Sequence, residues 1–195
     1  QDKKIIRDME KCIEAMGCKA RKRTTHGFGS ATELSFAHKV LFEFLLEHCG
    51  KGSPNKKIPD FIFGLSKERI GEFLYALYTG DGVIRKECIN YYTSSRQLAD
   101  DITYLLLEFG IVGRILKKGK SKIGKNDNYT VKFYRSDDKL EFLKYVKIAD
   151  EGFIKTISEI KGKRNLNKKG DIYLDKIKSI EKISLPKPIP VFDIS

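Results

Sequence analysis

The chain has 195 residues, 41% of them hydrophobic, enough to build a real core in one or two domains. Its 38 basic residues against 26 acidic ones leave a formal charge of +12, which points to a polyanion partner and away from the balanced Lys/Glu surface of a heat-stable protein. No apolar run approaches membrane-spanning length and no signal peptide opens the chain, so a cytoplasmic protein with no membrane partner is expected.

Helical periodicity over residues 2–16 puts Ile5, Ile6, Met9, Ile13 and Met16 on one side and stops at Gly17. Residues 18–25 read as a basic strand carrying Lys19, Arg21, Lys22 and Arg23. A Gly-rich loop over 24–30, a short strand over 33–36 and a helix over 38–49 that ends at Gly50 follow. Residues 53–55 are a turn-rich linker, and 56–63 lead into a helix that Ser66 can cap. That helix places Ile70, Phe73, Leu74 and Leu77 on an apolar face. Ala76 and Gly80 form a small-residue edge that a partner backbone can approach closely. The helix stops at Gly80-Asp81-Gly82, leaving a carboxylate against the partial negative charge of a helix C-terminus, which a divalent cation would relieve.

Residues 83–93 read as two short strands around a turn, with Ile84, Cys88 and Tyr92 on one side against Arg85, Glu87 and Asn90. An amphipathic helix over 95–109, capped by Ser94 or Ser95, stops at Gly110. Strands over 112–117 and 129–134 then flank a Lys/Gly/Asn-rich turn over 118–128. This ribbon offers Arg114, Lys117, Lys118, Lys120, Lys122, Lys125, Lys132 and Arg135, with Arg85 nearby, to the phosphates of a nucleic acid. A two-stranded ribbon fits the major groove. Helices over 137–146 and 151–160, a basic linker over 161–169, and strands over 170–181 and 185–195 complete the chain. Cys12, Cys18, Cys49 and Cys88 lack the paired spacing of a zinc site and read as reduced thiols. His26, His38 and His48 form no metal-like cluster and read as surface or structural histidines.

Leu74-Tyr75-Ala76-Leu77-Tyr78-Thr79-Gly80-Asp81-Gly82 resembles the signature of the LAGLIDADG homing endonucleases, in the dodecapeptide form found inside inteins. It departs from that pattern at Thr79, Tyr75 and Tyr78, none of which is the essential acid. Lys56-Lys57-Ile58-Pro59-Asp60-Phe61-Ile62-Phe63 before it, and Tyr92-Thr93-Ser94-Ser95, Leu98-Ala99 and Leu105 to Ile111 after it, follow in the order of the second repeat of an intein endonuclease, over residues 50–146.

The resemblance implies an α/β (α+β) fold of αββαββα repeats. Residues 1–52 would be a partial first repeat lacking its motif helix, 53–160 the complete second repeat, and 161–169 a basic linker. Residues 170–195 would be the C-terminal strand pair of an intein splicing (Hint) domain, with Phe192 in place of the Tyr of its Val-Tyr-Asp block. It also implies site-specific, Mg²⁺-dependent hydrolysis of double-stranded DNA, with Asp81 and Gly80 at the metal. Leu74, Ala76, Leu77 and Gly80 would pack against a second motif helix, from a missing first repeat or a second copy of the chain. Lys118 or Lys132 would offset developing negative charge. The chain ends before the His-Asn pair of a splice junction, so it is not expected to complete splicing alone. The rival expectations are a remnant that grips DNA without cutting it and a fragment of a splicing element.

Overall fold

The computed structural model describes residues 3–26, 30–119, 126–160, 168–169, 172–173 and 177–182. The first unit, through residue 161, opens with α1 (Lys3–Ala15), β1 (Arg21–His26), β2 (Ser30–Ser35) and α2 (Lys39–Cys49). Two 3-10 turns, Ser53–Asn55 and Asp60–Gly64, lead to α3 (Lys67–Asp81), β3 (Gly82–Ile84) and β4 (Ile89–Thr93). Then come α4 (Arg96–Leu107), β5 (Arg114–Lys118), β6 (Asn128–Phe133), α5 (Ser136–Tyr145) and α6 (Glu151–Ser158). In the second unit β7 (Lys168–Lys169) pairs antiparallel with β8 (Ile172–Tyr173). Residues 177–182 carry no regular structure, and the strand expected over 185–195 lies outside the described residues.

The central sheet runs β3-β4-β6-β5, every neighbour antiparallel. Its inner face, Ile89, Tyr91, Val131 and Phe133, packs with Leu74 of α3, Ile102 and Leu105 of α4, and Phe142 of α5 in one core. Strand geometry sends alternate residues to the other face. The expected alternation within residues 83–93 is corrected here. Tyr91 points inward at 3% exposure while Tyr92 is 42% exposed, because the turn closed by Arg85 N–H donating to Cys88 O (3.0 Å) resets the parity between β3 and β4.

The apolar stripe of α3 is also rotated from expectation. Ile70, Gly71, Leu74 and Tyr78 are buried, Phe73 and Leu77 are half-buried, and Ala76 and Gly80 are exposed. Gly71 is the cause: a Cβ there would lie 2.8 Å from the Tyr145 carbonyl oxygen, so its absence lets α3 lie against the backbone of α5. That approach turns Tyr78 into the core, its ring 5.3 Å from Tyr91 and 4.8 Å from Phe142, in tilted and edge-on arrangements. Ser66 precedes the helix as its N-cap residue but makes no side-chain capping bond.

Candidate nucleic-acid interface and acidic helix end

Asp81 is the last residue of α3 and is exposed. Gly82 caps the helix, its N–H donating to Tyr78 O, and starts β3 at once, so the carboxylate stands where helix meets sheet. Two clefts share it. One, of about 360 Å³, runs along Phe73, Ala76, Leu77 and Gly80 to Lys56 and Tyr91. A Cβ added at Gly80 would meet nothing within 4 Å, so this small-residue edge is open. Leu74, expected on the same edge, is fully buried and packs into the core with the rotated stripe instead. The other cleft, of about 270 Å³, is polar and lies between Asp81, Lys56, Ser53, Ser94, Tyr92 and Asn128.

Lys56 lines both clefts that share Asp81, and Lys57 lines the larger one. Their segment is tied to the start of α4. Ser95 Oγ donates to Lys56 O and accepts from Leu98 N (3.1 Å), while the buried Asp101 accepts from Ile58 N (2.8 Å) and Gln97 Nε2 (2.7 Å). The sequence signal was present in Lys56-Lys57-Ile58-Pro59, but a chain position 25 residues before the acid carries no spatial information. Tyr91, beside Asp81 in the larger cleft, has its phenol pKa pushed up to about 12, first by burial and then by the Asp81 charge, so it stays a protonated donor. Among the described residues no three His, Cys, Asp or Glu side chains converge into a metal cage, and Asp81 is the one carboxylate that lines either cleft. His38 is structural, its Nδ1 capping α2 by accepting from Leu41 N at 3.0 Å.

The outer face of the sheet carries the polar residues. Arg114 pairs with Lys132 and Lys132 with Asn90; Leu116 pairs with Thr130 and Thr130 with Tyr92; Lys118 pairs with Asn128. Asn128 lines the polar cleft at Asp81, so Lys118 lies at the Asp81 end of the sheet. Lys132 is four residues further along β6, roughly 13 Å from Asn128 along the strand. Arg114 sits over the Tyr134 ring, 5.5 Å from its centroid. Lys117 departs from expectation: the period of two puts it on the inner side of β5, where it pairs with Asp127 at 2.8 Å and its ammonium is held further protonated by that partner. Arg135 is held by Asp137 and Asp138 at 3.6 and 3.9 Å, and Arg85 is exposed in the β3–β4 turn. Lys120, Lys122 and Lys125 lie outside the described residues.

Residues 68–147 match the family model of the LAGLIDADG-like domain. The homing endonuclease I-DmoI in complex with DNA and manganese superposes with a TM-score of 0.56 at 15% identity, over 77% of this chain and 75% of that one. Its complex with DNA and calcium gives 0.53 at 16% identity, over 74% and 68%. In sequence, the replication factor C small subunit of Methanocaldococcus jannaschii is 31% identical over 121 residues, 60% of this chain and 6% of that protein. The replicative DNA helicase DnaB of Rhodothermus marinus is 34% identical over 104 residues, 50% and 11%. The DNA polymerase II large subunit of Thermococcus kodakarensis is 29% identical over 121 residues, 57% and 6%. The chain thus spans about a tenth or less of the length of these curated relatives. Residues 68–147 are thus similar to the LAGLIDADG-like domain, and the mixed helix-and-antiparallel-sheet fold is like that of I-DmoI.

Proposed function

We propose that this chain is the site-specific, double-strand DNA-cutting part of an intein homing endonuclease, hydrolysing phosphodiesters with a divalent cation, Mg²⁺ by expectation. The observation that carries this reading is the exposed Asp81 at the point where an open small-residue helix edge meets a polar sheet face. Asp81 and the Gly80 carbonyl supply hard oxygen ligands of the kind Mg²⁺ takes. They make half a site, and the ion when bound would stabilise charge on the phosphate oxygens. I-DmoI has been seen with magnesium, manganese and calcium, which supports a divalent metal here. The second acid would come from another motif helix packed along Phe73, Ala76, Leu77 and Gly80, from a first repeat or a second copy. Lys56 and Lys118 would neutralise phosphate charge beside Asp81, and Arg114 and Lys132 would hold the duplex on the sheet.

The intein setting is supported by the relatives. Stretches of 104 to 121 residues of this chain resemble small parts of a replication factor, a helicase and a polymerase, as an inserted element would. A cytoplasmic place with those hosts follows from the same reading. Residues 170–195 are assigned to the splicing domain on their sequence alone.

A second reading, a remnant that binds DNA without cutting, is favoured by Asp81 being the one carboxylate that lines the two clefts among the described residues. Plasmid nicking in Mg²⁺ separates the two, with the chain tested alone and with a first repeat supplied. Asp81→Asn keeps side-chain size and removes the charge, so it should bind duplex like the parent and lose nicking, as should the parent with metal chelated. A variant that cuts as well as the parent refutes the metal assignment. A parent that binds but cuts in neither setting establishes the remnant.

A further inference from the structure

Three adjacent strands place Asn90, Lys132 and Arg114 in one row across the sheet, since Asn90 pairs with Lys132 and Lys132 with Arg114. Their chain neighbours Ile89, Tyr91, Val131 and Phe133 belong to the core, so the row lies on the outer face. Asn90 is 9% exposed. Its Nδ2 donates to Tyr92 Oη at 3.1 Å, which leaves Oδ1 as its acceptor, and Oδ1 is buried with no partner. Thr130 Oγ1, in the next row of the same face, is likewise buried and unpaired. Buried acceptors without partners are uncommon, because each forfeits its hydrogen bond to water. Two orphaned polar atoms in adjacent rows, on the face that the DNA reading turns to the duplex, point to partners that arrive with the ligand, and the acceptor-only Asn90 Oδ1 calls for a donor. Arg114 is held by its stacking on Tyr134, and Lys132 is half-buried beside Asn90.

We infer that this row reads one base pair, a cytosine facing Asn90 with its guanine facing Lys132 and Arg114. Across the row the side chains run acceptor, donor, donor. In the major groove a C·G pair presents the N4 amine of cytosine, then the O6 and N7 acceptors of guanine, which is the complementary order. A T·A or A·T pair presents acceptor, donor, acceptor, and so opposes Asn90 with an acceptor and Lys132 with a donor. The reversed G·C pair sets N7 against Asn90 and the cytosine amine against Arg114. Only one of the four pairs satisfies all three side chains. The inference rests on the DNA-binding reading and adds to it a sequence preference.

The test is selection of duplexes from a randomised pool without added divalent cation, so that no strand is cut. The parent should fix one C·G position. Asn90→Ala should level that position, with a loss of discrimination of roughly ten- to a hundredfold, and leave the others unchanged. Asn90→Asp should keep the cytosine, because a carboxylate also accepts from N4. Arg114→Ala, at an exposed position, should weaken the guanine requirement and serves as the deciding variant if a change at Asn90 unfolds the protein by circular dichroism. A parent that selects no C·G position, or a position that survives both Asn90→Ala and Arg114→Ala, overturns the inference while leaving DNA binding intact. A parent that retains no duplex at all overturns the DNA reading and this inference with it.

Discussion

The chain contains the same run of elements twice: helix, antiparallel ribbon, helix. The later copy, α4-β5-β6-α5, is closed. Helix α5 buries Ser136, Asp138, Lys139, Phe142 and Leu143, and β6 continues into β4. The earlier copy, α1-β1-β2-α2, is open. Helix α2 buries no residue, with Val40 70% and Phe42 65% exposed, and among the described residues β2 pairs with β1 alone. Apolar content does not separate the two, since α2 reads Lys-Val-Leu-Phe-Glu-Phe-Leu-Leu-Glu-His-Cys. What separates them is α3-β3-β4, the helix and ribbon that cover the later copy and have no counterpart over the earlier one among the described residues. Hydrophobic side chains stabilise in proportion to the area removed from water, so a face with nothing to cover it contributes little.

This contrast predicts the largest effect. Phe142→Ala empties the middle of the closed core, where its ring meets Tyr78 and Phe133, and should cost about 3–5 kcal/mol in denaturant unfolding. Phe42→Ala in the open copy should stay within about 0.5 kcal/mol. If a helix and ribbon supplied in trans cover α2, the cost of Phe42→Ala should rise to a core-like value. Equal costs in the isolated chain would mean the two copies are equally closed.

The order of elements was legible because it depends on local signals. Gly17, Gly50 and Gly110 are all left-handed glycines at helix ends, as their positions suggested. Asp81 at the end of α3 was legible for the same reason. What stayed hidden depended on contacts between elements. Tyr78 reads as a departure from a motif until Gly71 rotates α3 against α5. Lys117 and Lys118 look equivalent in a basic turn until the register of β5 sends one to each side. Asn90 looks like an ordinary polar strand residue until its carbonyl oxygen is found buried without a donor.

Tyr91, on the ribbon that covers the closed copy, gives a pH reading confined to that ribbon and the acid beside it. Its pKa of about 12 in the fold, against 10.0 for an ordinary tyrosine, means that the unfolded chain gives up this proton first. The stabilisation is therefore present below pH 10 and lost as the pH climbs from 10 to about 12, on the order of 2 kcal/mol. Asp81→Asn removes the smaller of the two causes and should lower the Tyr91 titration followed by ultraviolet difference spectroscopy. A divalent cation bound at Asp81 should lower it too. A titration unmoved by either would place Asp81 too far from Tyr91 to act on it.

The smallest effect discriminates the two ribbons and the two sides of one of them. On β1–β2, Lys22 is engaged by Glu10 at 3.3 Å and Arg23 by Glu33 at 2.8 Å. On β5–β6, Lys117 is engaged by Asp127 on the inner side, whereas Lys118 stands on the outer face level with Asn128 and the Asp81 cleft. A cation already paired with a carboxylate releases few counterions when DNA arrives, because the protein has partly neutralised it beforehand. Each phosphate contact contributes about 0.9 to the slope of log affinity against log salt. Lys118→Ala should therefore lower the slope by about 0.9, while Lys117→Ala and Lys22→Ala should leave it almost unchanged. A fall in slope for Lys117→Ala equal to that for Lys118→Ala would mean that the duplex reaches around the edge of β5. A fall for Lys22→Ala would mean that the open ribbon already grips DNA before anything covers its helices.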